Sequence, residues 1–149
     1  MTTLLCQTLI DELFQEVDYN SSERLHIGCI SPYLVVVNAP AGTFTISITG
    51  PNGAVFSKSF TSIDIKTAIG TVNDFAHVFY PIIPTNPVQI ENGSYTITLS
   101  AAGYTASNSS FIGWIQQHEN IQNEMSYTPV DDSGNTFAIR FKSYKEGIK

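Results

Sequence analysis

The stretch Thr43-Phe44-Thr45-Ile46-Ser47-Ile48-Thr49-Gly50-Pro51-Asn52-Gly53-Ala54-Val55-Phe56-Ser57-Lys58-Ser59-Phe60 decides the fold class. Side chains of a strand point to opposite faces in turn, so strict alternation from Thr43 to Thr49 puts Phe44, Ile46 and Ile48 on one face. Hydroxyls fill the other. Asn52-Gly53 supplies the positive-φ residues of a tight turn, and Ala54 to Phe60 returns as the antiparallel partner. This is a β-hairpin with one wet and one dry face.

Working outward, Tyr33-Leu34-Val35-Val36-Val37 is a β-branched run closed by the turn cluster Asn38-Ala39-Pro40-Ala41-Gly42. A continuous apolar run of this kind predicts a central strand, buried on both faces or on one face with a subunit contact on the other. Further on, Glu91-Asn92-Gly93 opens a second alternating strand, Ser94 to Ser100. Gly42 to Ile48 and Gly93 to Leu99 are near copies, 51 positions apart. They fit matching places in two halves of a sandwich, or convergence on a good strand pattern.

Strands are also predicted over Arg24–Ile30, Phe75–Tyr80, Phe111–Ile115 and Thr136–Tyr144, and one short helical turn within Thr61–Ile69, capped by Thr61 or Ser62. Three prolines between Pro81 and Pro87 keep that segment out of a sheet centre. About eight short strands separated by turns predict an all-β antiparallel β-sandwich of 149 residues, jelly-roll or immunoglobulin-like, in a single domain. Residues 1–20 stay open. Leu9, Ile10, Leu13, Phe14 and Val17 have helical spacing, while Leu9, Leu13 and Val17 also share a strand face. A short helix, a strand and a docking arm that orders on binding all fit.

Hydrophobic residues make up 42% of the chain and charged residues 13%, about half the usual charged share. Ser, Thr, Asn and Gln take the place of the missing charge, a composition suited to a β-protein whose surface meets protein or carbohydrate. The formal charge of −6 argues against a nucleic-acid partner. Acidic residues crowd the start (Asp11, Glu12, Glu16, Asp18, Glu23), and basic ones crowd the tail (Arg140, Lys142, Lys145, Lys149). Two solvated ends explain this; so does head-to-tail complementarity between copies. Cys6 and Cys29 are too few for a disulfide scaffold and are read as buried free thiols. Neither an export signal nor a membrane-length apolar stretch is legible, so no membrane partner is expected.

No catalytic apparatus is legible, and the expectation is a protein that is not an enzyme. His26, His77 and His118 form no metal-binding spacing, and no cofactor is implied. His77, inside an apolar strand, reads as a core or half-buried histidine. Cys29 and His26, three apart on a strand, point to opposite faces. Asp131-Asp132-Ser133-Gly134-Asn135 lacks the spacing and terminal Glu of a calcium loop and reads as a turn. Aromatics are more informative, at 11% of residues. Most fit inward positions, but Tyr104, Trp114 and Tyr127 lie beside Gly, Ser or Asn, where exposed rings stack on sugars or anchor interfaces, while Trp114 equally fits a plug for one end of the sandwich. His118 follows Trp114 by four and precedes Glu119, a grouping that suits a binding patch or an acid–base pair but reads first as ordinary loop structure. The candidate interface or ligand-stacking residues are therefore Tyr33, Val35, Tyr104, Trp114, His118 and Tyr127.

Three stretches carry a family likeness: Tyr33 to Thr45, Asn92 to Ile97, and Ile112-Gly113-Trp114-Ile115 with His118-Glu119-Asn120. Together they resemble small β-proteins of tailed phages, particularly marine ones, over about residues 24–142. The resemblance brings no catalytic residues. It implies a virion structural protein, made in the host cytoplasm. Its role would be capsid decoration (cement) or tail or fibre accessory, and its partners other virion proteins or itself. A carbohydrate-binding module with a glycan ligand is the alternative. A hydrolase whose site assembles only in the fold comes third.

Overall fold

A computed structural model describes residues 5–20, 22–70, 75–117, 126–128, 136–137 and 139–145. Strands β1 (Leu5–Thr8) and β2 (Glu12–Tyr19) open the chain, followed by β3 (Leu25–Val37) and the hairpin β4 (Thr43–Gly50) and β5 (Gly53–Phe60). Helix α1 (Ser62–Ile69) leads to β6 (Phe75–Phe79), β7 (Val88–Ile90), β8 (Gly93–Ala102) and β9 (Phe111–Gln117). Two short strands, β10 (Ser126–Thr128) and β11 (Thr136–Phe137), precede β12 (Ile139–Lys145).

These strands form two antiparallel sheets, as an all-β sandwich requires. The five-stranded sheet runs β10-β2-β8-β4-β5, and the seven-stranded sheet is built on β3. Among the described residues the segments outnumber the eight expected strands because β1, β2, β7 and β10 are added and the last expected strand divides into β11 and β12, whereas β3, 13 residues long, joins two expected strands and changes partners halfway. Its first half lies between β12 and β7, its second between β9 and β6. β11 pairs with the end of β9 and β12 with β3, so the last two strands are divided between β9 and β3.

Alternation fills the space between the sheets. Leu13, Val17, Phe44, Ile46, Ile48, Ile97 and Leu99 point in from one sheet; Leu25, Ile27, Ile30, Leu34, Val36, Ile112 and Ile139 point in from the other, all in one cluster. Each such side chain contributes about 1.5–3 kcal/mol on leaving water. One long polar side chain joins them. Gln15 is fully buried on β2, and its Oε1 accepts a hydrogen bond from the Phe137 amide at 2.8 Å, tying one sheet to the other.

The open reading of residues 1–20 closes on strands. β2 pairs along its whole length with β8, and β1 pairs with β9, so neither a short helix nor a docking arm occupies residues 5–19. The two near-copy strands are not equivalents in separate halves: β4 and β8 are neighbours in one sheet. Gly42 leads into that ladder at φ +121°, where a Cβ would stand 2.8 Å from the Ala102 carbonyl oxygen. Only glycine fits there.

α1 is a full helix rather than one turn. The Thr61 hydroxyl accepts from the Asp64 amide at 3.2 Å while the Asp64 carboxylate accepts from the Thr61 amide at 2.8 Å, a complete capping box. Gly70 closes the helix in the left-handed region. Between β6 and β7, the Tyr80 amide donates to the Pro32 carbonyl at 2.9 Å and Ile82 exchanges two backbone hydrogen bonds with Ile30. Pro81, Pro84 and Pro87 have no N–H to donate. The segment therefore does not zip onto β5, which among the described residues pairs with β4 alone. A β-bulge at Val55 interrupts that strand near its start.

Candidate interaction surface

The outer faces of the two sheets differ in chemistry, and strand register dictates how. On β3, Leu34 and Val36 point inward, leaving Ser31, Tyr33, Val35 and Val37 on the outer face. β6 pairs Phe79 with Tyr33 and His77 with Val35, which brings both rings to that face. On the other edge of β3, β12 sets Arg140 beside Ser31 and Lys142 beside Cys29.

The side chains then form a ladder. The rings of Tyr33 and Phe79 stack at 4.2 Å between centroids, and the Arg140 guanidinium lies 3.8 Å from the Phe79 centroid. Two groups this close cannot share one ring face, so Phe79 lies between them. The Tyr33 hydroxyl is hydrogen-bonded to His77 Nδ1 at 2.8 Å. Cation–π and stacked pairs at exposed sites are each worth about 0.5–1 kcal/mol, enough to hold the side chains in register. Among the described residues, the outward positions of β3, β6 and β12 carry no Asp or Glu.

The outer face of the five-stranded sheet is the opposite. β2 presents Glu12, Phe14, Glu16 and Asp18, with Phe14 43% exposed. Beside them stand Ser94, Thr96, Thr98 and Ser100 of β8, then Thr45, Ser47 and Thr49 of β4. Ser94 donates to Asp18 at 2.7 Å, and Thr45 and Ser59 hydroxyls meet at 2.9 Å. No Lys or Arg points outward among these positions.

The expected site residues are dispersed. Tyr33 lies in the ladder. Val35 shares its face but is buried. Trp114, read either as an exposed stacking ring or as a plug for one end of the sandwich, has no exposed surface and stacks on Phe137 at 4.7 Å. Tyr104 is half-buried: its hydroxyl donates to the Leu9 carbonyl at 2.8 Å and accepts from the Ile112 amide at 3.2 Å, while its ring meets Phe44 edge-on. Trp114 has no face left for a sugar, and the Tyr104 hydroxyl is spent on the fold. Tyr127 lies opposite Val17 on β10, its side chain outside the described residues, as are His118 and the 131–135 turn. His77, expected in the core or half-buried, is exposed because its strand turns it outward.

Sequence reasoning missed Phe79 and Arg140. Alternation of β12 does place Arg140 opposite Ile139, but nothing local says that β6 and β12 flank β3.

Other chemistry is sparse. Among the described residues no three His, Cys, Asp or Glu side chains converge to hold a metal ion. A groove of about 250 Å³ between β5 and the proline segment is lined by Lys58, Phe60, Tyr80 and Ile82. Burial, and then the Asp64 carboxylate, hold the Tyr80 phenol above its usual range, so it stays a neutral donor.

The cysteines are free, as expected, but neither is fully buried. Cys6 Sγ packs over Gly113, whose missing Cβ makes room for it. Burial pushes the Cys6 thiol up to about 11 from 9.0. Thiolate is the reactive form, so maleimide labelling of Cys6 at neutral pH should run slower than for an unperturbed thiol. The rate should climb as pH approaches that value; fast labelling at pH 7, followed by mass spectrometry, would contradict the packing.

Comparisons with protein-family models, curated proteins and solved structures find no match for this chain.

Proposed function

We propose that the protein is a non-catalytic structural β-sandwich of a virion, a decoration or tail-accessory component that docks on other protein through the outer face of its seven-stranded sheet. The observation that carries the docking reading is the Arg140–Phe79–Tyr33–His77 ladder. Arginine and aromatic residues are the side chains enriched in the centres of protein interfaces. Glycan recognition is less well served, because stacking on a sugar needs an open ring face and Phe79 has a group on each side. The virion assignment rests on the sequence likeness and on a low-charge surface rich in hydroxyl groups.

Two measurements test it. Mass spectrometry of purified, salt-washed particles of the encoding virus should find peptides of this chain; their absence removes the virion assignment. Binding of the purified protein to particles lacking it should weaken about tenfold or more in Arg140→Glu/Lys142→Glu, a loss typical of an interface hot spot. Unchanged binding would move the docking surface elsewhere. A glycan-array signal lost on Tyr33→Ala would instead favour the carbohydrate-binding reading.

A further inference from the structure

We propose that the partner of the basic, aromatic face is the acidic, hydroxyl-rich face of a second copy of this chain, so that copies stack sheet to sheet. This rests on the reading of the seven-stranded sheet's outer face as a docking surface and names what it meets. Three observations carry it.

The first is charge. Arg140 and Lys142 are both exposed on one outer face, and Glu12, Glu16 and Asp18 lie on the other, with no residue of the opposite sign among the described outward positions of either. Among the described residues no ion pair uses these charges: that of Arg24 with Glu91, at 3.2 Å, lies at the start of β3.

The second is spacing. Arg140 and Lys142 are two residues apart on one strand, and Glu16 stands two residues from Asp18 on another. Successive same-face positions on any strand are about 6.8 Å apart, so two charge pairs can form together when the faces meet.

The third is the apolar component. Phe14, exposed between Glu12 and Glu16, gives the acidic stripe a ring to set against the Tyr33–Phe79 stack.

The geometry of assembly follows. The two surfaces are different and lie on opposite sides of the sandwich, so the contact is heterologous and each docking leaves both outer ends competent. Such a contact propagates into open stacks rather than stopping at a dimer. Exposed charge pairs are weak and screened by salt, so association should be concentration-driven and salt-sensitive.

The test is sedimentation or light scattering of the full chain. In about 20 mM salt, where screening is weak, mass should rise continuously with concentration beyond a dimer. In about 0.5 M salt, where screening is strong, it should fall toward the 16.3 kDa of one chain, with the association constant reduced about tenfold or more. Arg140→Glu/Lys142→Glu and Glu12→Lys/Glu16→Lys should each stay single chains, and mixing the two should restore association. All four positions are exposed, so each variant should melt close to the parent.

A parent protein that stays a single chain at millimolar concentration in low salt would overturn stacking. So would a mixture of the two variants that does not associate. The salt titration decides without variants. If particle binding still depends on Arg140 and Lys142 while the parent shows no self-association, the docking face stands and only the second copy is wrong.

Discussion

Replacing Trp114 with alanine is expected to lower the unfolding free energy by about 3–5 kcal/mol, the cost of truncating a fully buried aromatic. The indole sits on β9 with no exposed surface, stacked on Phe137, and β9 carries both β1 and the second half of β3. Neighbours on three strands cannot all move to fill the space. In thermal melts the midpoint should drop on the order of 10 °C for a domain of this size, with little change in denaturant dependence. A drop of only a degree or two would mean that Trp114 is a surface residue, and the sugar-stacking role would return.

Gln15→Leu should destabilise by about 1–3 kcal/mol even though leucine keeps most of the volume and is more apolar. The reason is the Phe137 amide. Its N–H donates to Gln15 Oε1 at 2.8 Å inside the sandwich, and leucine leaves that donor without an acceptor where water does not reach. The loss should be visible locally as faster hydrogen exchange at the Phe137 amide than at the Ile46 and Ile97 amides, which stay in the β4–β8 ladder. Equal or increased stability would show that the cross-sheet bond contributes nothing net. Between them, the two substitutions separate packing from polar satisfaction at neighbouring points of one interior.

Gln15 also explains why the first segment resisted reading. Leu13-Phe14-Gln15-Glu16-Val17 breaks alternation because its glutamine faces the core and its phenylalanine faces outward. A polar residue inside is tolerable only when a partner 122 positions away meets it, and no local pattern carries that information. The Thr43–Phe60 hairpin was legible because everything that defines it lies within 18 residues: alternation, the Asn-Gly turn and the return strand. The α1 capping residues were legible for the same reason.

Residues proposed for ligand stacking fared differently. Neighbouring Gly and Ser made Tyr104 and Trp114 look exposed, whereas Trp114 packs on Phe137 of β11 and the Tyr104 hydroxyl is tied to Leu9 and Ile112. The basic ladder assembles across three strands, with Tyr33, Phe79 and Arg140 far apart in sequence. Sequence could say which way each strand alternates, but not which strands would be neighbours.

The unzipped margin of β5 has a further consequence. A strand with one free row of backbone donors and acceptors is a template for uncontrolled growth, since any extended chain can add to it, then another. The prolines at 81, 84 and 87 create that margin by declining to cover it, and the strand defends itself. The Val55 bulge spoils the flatness that cross-β addition needs, and Lys58 sets a positive charge in the middle of what remains. Any protein made in many copies is exposed to this hazard, and two small irregularities in one hairpin guard this edge against it.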